Sequence, residues 1–190
     1  MKWNIIFVCG VVFVLWSWKL WQSEAHQPAR LYRQVPKLRV QDMASKKPAE
    51  RAWRGRWLLS PLWATGCAPS RRELPVFLRF VRRVRQQGWP VQVAWVSVDQ
   101  EWGVVRSFLK KQLAWRPGLD LGVHLLLDQR MKRLKSLPTV PLTAAAYGTK
   151  KFPETYLIDP KGRLLAKWEG VVSWEQDAFL HSFAQKIGVR

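Results

Sequence analysis

The residue best placed to do chemistry is Cys67, in the segment Thr65-Gly66-Cys67-Ala68-Pro69-Ser70. Hydrophobic spacing predicts a helix over residues 71–87, so Cys67 comes at a helix start, where backbone N–H groups lack partners and the helix dipole is positive. Both effects favour a thiolate, the nucleophile of disulfide exchange. Pro69 falls in the first helical turn, where its missing N–H costs nothing. Ser70 could donate a hydrogen bond to the thiolate, although serine is equally expected at a helix start.

No other group of residues suggests a second chemistry. Cys9 lies inside an N-terminal apolar run, so we expect no disulfide between it and Cys67. The three histidines, His26, His124 and His181, have no metal-ligand spacing with each other or with Cys67, and we therefore expect no metal and no other cofactor. Glu73 is interpreted as a solvated acid of the first helical turn rather than a proton carrier.

Alternating strand and helix patterns must position Cys67. Strands are predicted over residues 57–63, 91–98, 123–127, 155–158 and 163–168, and helices over 71–87, after Asp99, and after Ser173. Asp99 is predicted to cap the second helix, and Ser173 with Gln176 to form a capping box for the last one. Asp159-Pro160-Lys161-Gly162 has the composition of a type I turn. This order predicts an α/β fold with a central mixed sheet and helices on both faces, and it leaves residues 129–150 unassigned.

The N-terminal part divides into two further intervals. Residues 5–18 are apolar and uncharged, and tryptophans flank them, so we predict that 1–25 is a signal anchor or, alternatively, a signal peptide cleaved near Ala25. Residues 26–50 are polar, basic and contain three prolines, which predicts a linker before a domain over 51–190. The basic residues that follow the apolar run would place the domain in the cytoplasm by the positive-inside rule, and this opposes an exported location.

The charge of the chain narrows the choice of partners. The sequence carries 32 Lys and Arg against 13 Asp and Glu, a formal net charge of +19. We do not expect nucleic acid as a partner, because the basic residues are scattered and no zinc, helix-turn-helix or RNA-binding aromatic motif is present. Anionic lipid at a membrane surface is a simpler partner for this charge.

Three stretches together resemble the TlpA/ResA-like thioredoxins, a family of membrane-anchored thiol-disulfide oxidoreductases. These stretches are residues 57–75, residues 96–109 and residues 147–159, the last with the motif Phe152-Pro153-Glu154-Thr155. The resemblance covers about residues 52–188 and implies a thioredoxin-like fold. It implies an inner-membrane protein with one span and a periplasmic domain, whose partners are client cysteines and an external thiol or redox protein.

The resemblance also implies roles for individual residues. Cys67 would be the attacking thiol, Phe152 and the family's cis-proline, Pro153, would line the substrate groove, and Gly66 and Pro69 would contact substrate beside the thiol. The chain departs from the family at Ser70, where a second cysteine normally resolves the mixed disulfide, and at Gly66, where tryptophan is usual. Three functions therefore stay open: thiol-disulfide exchange through a single cysteine, a catalytically degenerate binding or scaffold module at the membrane, or a basic, lipid-associated structural protein.

Overall fold

The computed structural model describes residues 34–43, 45, 53–116, 118–131 and 140–189. The predicted anchor or signal peptide over 1–25 lies outside these residues, as does most of the predicted linker. Within the described ranges, no helix is long and apolar enough to cross a membrane.

A six-stranded mixed sheet forms the centre of the domain, as predicted. The strands of this sheet are β1 (Val40–Asp42), β2 (Trp57–Trp63), β3 (Val91–Ser97), β4 (His124–Asp128), β7 (Glu154–Ile158) and β8 (Leu164–Glu169). Two further short strands, β5 (Arg130–Met131) and β6 (Val140–Pro141), lie outside it. The order in the sheet is β1-β4-β3-β2-β7-β8. Strand β3 runs parallel to β2 and β4, whereas β1 is antiparallel to β4 and β7 is antiparallel to both its neighbours. β5 and β6 pair with each other.

In the part of the chain that the structure describes, four helices accompany the sheet: α1 (Ala68–Gln86), α2 (Trp102–Leu113), α3 (Leu142–Ala146) and α4 (Asp177–Ile187). The apolar face predicted for α1 is confirmed, because Leu74, Phe77, Val81 and Val84 are all buried. Aromatic rings fill the space between α1 and α4: Trp174 is fully buried and packs edge-on against Phe77 at 5.1 Å between ring centroids. The helix that begins at Cys67 is therefore fixed along its length by the core.

Two predicted helix caps are wrong. The N-cap of α2 is Glu101 instead of Asp99, and the N-cap of α4 is Gln176 instead of Ser173; neither residue makes a side-chain cap hydrogen bond. Asp99 is held elsewhere, by Thr65 and Ser97, so its carboxylate is not available to the helix. The predicted turn between β7 and β8 is present, with a hydrogen bond of 2.9 Å from the Gly162 N–H to the Asp159 carbonyl.

Part of the interval predicted as a linker belongs to the sheet. Strand β1 pairs in antiparallel register with β4, with Val40 opposite Asp128. Backbone bonds reinforce this edge, since the Arg39 N–H donates to Thr143 Oγ1 at 2.9 Å and the Gln129 N–H donates to the Arg39 carbonyl at 2.8 Å. Residues 129–131 and 140–150, which the sequence left unassigned, supply β5, β6 and α3. A three-residue strand in a polar segment has too little hydrophobic pattern to predict.

Candidate functional site

Cys67 stands where the central strand β2 passes into α1. β2 ends at Trp63, and the Cys67 N–H then donates to the Ala64 carbonyl at 3.1 Å, which closes a turn. Cys67 is the N-cap residue of α1, and Pro69 lies in the first helical turn, as predicted. No side chain caps this helix start, and its first turn contains no acidic residue. The positive end of the helix dipole therefore faces the thiol without a competing carboxylate in that turn.

The structure brings the predicted substrate-groove residues to this thiol. Cys67 is partly exposed, and its Sγ donates a hydrogen bond of 3.2 Å to the carbonyl of Phe152, which is 85 residues away in sequence. The Phe152–Pro153 peptide bond is cis. The Pro153 carbonyl is already used, because it accepts the Gly170 N–H at 2.9 Å. The Phe152 carbonyl is thus the backbone acceptor that the segment presents to the thiol.

Ser70 and Gly66 differ in their surroundings. Ser70 is 4% exposed, and its hydroxyl has no hydrogen-bond partner among the described residues, so it makes no bond to the thiol in this state. Such a buried, unpartnered hydroxyl is uncommon, and it leaves one donor unused beneath the thiol's helix turn. Gly66 is exposed, and a Cβ added there would meet nothing within 4 Å. The groove is therefore open at the position where the family usually has tryptophan.

Asp99 positions the loop before the thiol, a role that the sequence did not reveal. Its carboxylate accepts the Thr65 N–H at 3.0 Å, the Thr65 hydroxyl at 2.8 Å and the Ser97 hydroxyl at 2.6 Å. Thr65 is two residues before Cys67, so these bonds fix the turn that presents the nucleophile. The sequence signal for this role is that Asp99 follows shortly after strand β3. The parallel strands β2 and β3 end at the same end of the sheet, so Asp99 lies close to the loop that follows β2.

Glu73 is not the solvated acid that the sequence suggested. It is 6% exposed, and its Oε1 accepts the Val172 N–H at 2.8 Å and the Trp174 indole N–H at 2.7 Å. Burial raises the pKa of Glu73 above its ordinary value, against the effect of these two hydrogen bonds. The carboxylate therefore ties the second turn of α1 to the segment after β8. Its donors lie about a hundred residues away, so local spacing could not identify it.

A second buried carboxylate, Glu154, follows Pro153 directly. It is 2% exposed, forms an ion pair with Lys167 and accepts the Tyr156 hydroxyl at 2.7 Å. The Tyr156 hydroxyl also lies 2.8 Å from Thr149 Oγ1. Burial is the largest cause that raises the pKa of Tyr156, so this hydroxyl stays protonated and can donate. The network supports the strand that carries Phe152 and Pro153.

Exposed cations precede and follow the segments that form the thiol site, and one of them, Lys151, interacts with the carboxylate of Glu169. Arg71 and Arg72 lie near the start of α1, Lys150 and Lys151 precede Phe152, and all four side chains are exposed. The nearby carboxylates of Asp99, Glu73 and Glu154 are engaged in the contacts described above. Among the residues that the structure describes, no three His, Cys, Asp or Glu side chains are grouped so as to hold a metal ion.

No family model matches the chain. Thiol-disulfide oxidoreductase ResA from Bacillus thuringiensis subsp. konkukian (strain 97-27) is 22% identical over 184 residues, which span 96% of this chain and 92% of ResA. The chain is similar in sequence to the ResA thiol-disulfide oxidoreductases. The thioredoxin-like protein YneN from Bacillus subtilis (strain 168) is 23% identical over 77% of this chain and 76% of its own length.

Solved structures show the same fold. A protein assigned as thiol:disulfide interchange protein DsbE from Chlorobium tepidum superposes with a TM-score of 0.60 at 20% identity, covering 82% of this chain and 96% of its own. StoA from Bacillus subtilis gives a TM-score of 0.55 at 21% identity, covering 75% and 94%. The predicted resemblance and the thioredoxin-like α/β fold are confirmed. The similar proteins named above are thiol-disulfide oxidoreductases or thioredoxin-like proteins.

Proposed function

We propose that this chain exchanges disulfides with client proteins through Cys67 alone. The observation that carries the proposal is the contact of the Cys67 thiol, partly exposed at the start of α1, with the Phe152 carbonyl beside a cis-proline. The position that would hold a resolving cysteine is occupied by Ser70, and the only other cysteine of the sequence is Cys9. The site thus contains one nucleophile and an adjacent backbone acceptor.

The exchange balances without a cofactor. The Cys67 thiolate attacks one sulfur of a client disulfide; an S–S bond forms between Cys67 and that sulfur, and the other client sulfur leaves as a thiolate. An external thiolate then attacks the client sulfur of the mixed disulfide, so that Cys67 leaves as a thiolate and the client is joined to the external thiol. Ser70 cannot perform this second step, because a hydroxyl does not replace a thiol in disulfide exchange.

The Phe152 carbonyl gives the client a docking point. While Cys67 is a thiol, its S–H group donates a hydrogen bond to this carbonyl, with 3.2 Å between Sγ and the oxygen. Once Cys67 enters a disulfide, Sγ no longer carries a proton, and the carbonyl is left without this donor. A backbone N–H of the client can then take its place, as in the addition of an extended peptide to a sheet edge.

The test compares two substitutions in a Cys9→Ser background, so that Cys67 is the single thiol. With a disulfide-bonded client such as insulin, we expect the parent to form a one-to-one mixed disulfide that persists until an external thiol is added. Ser70→Cys should release the reduced client without that thiol, in a single turnover that leaves a disulfide between the introduced cysteine and Cys67, whereas Cys67→Ser should form no adduct. Non-reducing gels and intact mass spectrometry measure each species.

Absence of an adduct with the parent, under conditions in which Ser70→Cys also stays inactive, would contradict exchange through Cys67. It would favour the alternative, a thioredoxin-fold binding module. A parent that releases the reduced client as fast as Ser70→Cys would contradict the single-cysteine mechanism and leave the oxidoreductase class intact.

We also propose that the domain acts on envelope proteins from the periplasmic side of the inner membrane. The apolar run over residues 5–18 and the resemblance to membrane-anchored thioredoxins support this location, and the basic residues after the run oppose it. In the Cys9→Ser background, a maleimide that cannot cross the inner membrane should label Cys67 in cells with a permeabilised outer membrane. Labelling only after lysis of the inner membrane would place the domain in the cytoplasm.

A further inference from the structure

A cavity of about 380 Å³ lies at the end of the sheet away from the thiol. The register between β2 and β7 shows that the cavity and the thiol lie at opposite ends of these strands. Leu58, opposite Ile158, lines the cavity, whereas Leu62, opposite Glu154, is at the thiol end. Four strand residues span about 13 Å. The cavity is therefore separate from the groove beside Cys67 and has no part in the proposed exchange reaction.

The floor of the cavity is rigid and largely apolar. Trp53, Leu58, Tyr147 and Ile158 line it, and each is less than a tenth exposed. One wall, residues 34–38, is held by two bonds: the Tyr147 hydroxyl donates to the Pro36 carbonyl at 2.9 Å, and the Val35 N–H donates to the Gly162 carbonyl at 2.9 Å. Ligand cavities of proteins are commonly concave and apolar and begin at about 300 Å³. This one therefore has the size and lining for a small organic molecule.

The rim of the cavity is positively charged. Arg54, Arg56 and Lys161 line it and are exposed, and none of the three forms an ion pair with another described residue. The acid among the lining residues, Asp159, is already occupied. Its Oδ1 accepts the Lys161 and Arg163 N–H groups at 2.9 and 2.8 Å, and its Oδ2 accepts the Arg163 guanidinium at 2.6 Å. No lining carboxylate is left to neutralise the three cations.

We propose that this cavity is a binding site for a small amphipathic anion, in which a flat apolar body rests on Trp53 and Tyr147. A carboxylate, sulfonate or phosphate of the ligand would be held by Arg54 and Arg56, whose planar guanidinium groups pair with such oxygens in a bidentate manner. Lys161 adds a third charge from the turn between β7 and β8. The apolar floor would contribute affinity and the rim would select the sign of the charge.

The test uses 2-naphthalenesulfonate as the probe and the full chain, with binding measured by calorimetry. We expect saturable binding with one site and a dissociation constant below about 1 mM. The double variant Arg54→Gln/Arg56→Gln should weaken it at least tenfold. The matched control, Arg71→Gln/Arg72→Gln, removes the same charge at the thiol end and should change the dissociation constant less than twofold. Thermal unfolding verifies that both variants fold.

Three comparisons decide the proposal. Absence of binding at millimolar probe, or equal weakening by both double variants, would overturn a localised site. Methanesulfonate has the same anionic group without the rings, and equal affinity for it would overturn the role of the apolar floor. 2-Naphthylmethylammonium carries the opposite charge and should not bind. If it binds as tightly as the sulfonate, the cationic rim does not select the ligand.

Discussion

Replacement of Glu73 by alanine should destabilise the domain by about 2–4 kcal/mol, an estimate that follows from the two donors it would leave behind. Trp174 is fully buried, so its indole N–H would lose its partner without access to water. The Val172 N–H is in a partly exposed residue and could recover a bond to solvent. A buried donor without a partner costs about 1–3 kcal/mol of stability, and the loss of the packing contacts of the Glu73 side chain adds to this cost. In a domain of this size the loss corresponds to a fall of roughly 5–12 °C in Tm.

Glu73→Gln is the matched control, because its amide oxygen can accept the same two hydrogen bonds. We expect it to lie within about 1 kcal/mol of the parent at pH 7. Burial raises the folded-state pKa of Glu73, so the protonated carboxyl is favoured by folding. The parent is therefore stabilised relative to Glu73→Gln below pH 4.5, the ordinary value, and loses that advantage as the pH rises through the folded-state pKa.

Urea unfolding followed by far-UV circular dichroism, at pH 4 and pH 7, measures both effects. An alanine variant within 0.5 kcal/mol of the parent would show that the carboxylate does not hold Trp174. A glutamine variant as unstable as the alanine variant would show that the charge, rather than the acceptor, is required.

Three further predictions concern the thiol loop, its charge and the β7–β8 turn. Asp99→Asn and Thr65→Val should each slow adduct formation at the thiol by roughly tenfold, measured by stopped-flow kinetics. Because the two residues act through one contact, the double variant should be no slower than the slower single variant. Arg71→Gln/Arg72→Gln should lower the rate with the dianionic disulfide 5,5′-dithiobis(2-nitrobenzoate) several-fold at low salt and leave the rate with dicationic cystamine equal or higher; equal losses with both reagents would contradict electrostatic attraction. Burial would raise the pKa of Asp159, but the hydrogen bonds that its carboxylate accepts prevail and lower it. Asp159→Asn should therefore lower the free energy of unfolding by about 1–3 kcal/mol at pH 7, measured in urea. This difference should shrink as the pH falls below 3.8, because the carboxylate then becomes protonated.

Local sequence patterns are sufficient to predict most strands of the sheet. The strand predicted over 57–63 coincides with β2, and the prediction over 91–98 differs from β3 by one residue, because both are apolar runs bounded by turn residues. The hairpin followed from Asp159-Pro160-Lys161-Gly162. Cys67, Pro69 and Phe152 were placed together by family resemblance, and the 3.2 Å contact between Cys67 and Phe152 agrees with that placement.

What the sequence did not predict depends on contacts distant along the chain. The sequence places Asp99 at the nearest helix start, but its carboxylate binds Thr65, 34 residues earlier, instead. The position of Glu73 near a helix start suggests a solvated acid, yet its side chain binds Val172 and Trp174. Local periodicity reports which side of a helix a residue occupies and contains no information about polar partners in another element.

The distant contacts also explain the charge of the site. Three carboxylates lie near the thiol in the fold, and each has a structural role, since Asp99 holds the preceding turn, Glu73 holds α1, and Glu154 holds the strand after the cis-proline. Because their oxygens accept backbone, indole, hydroxyl or ammonium donors, they do little to neutralise the exposed cation Arg71. A site assembled in this way should present positive charge to its client, so acidic residues beside a client disulfide would raise the encounter rate more than the final affinity.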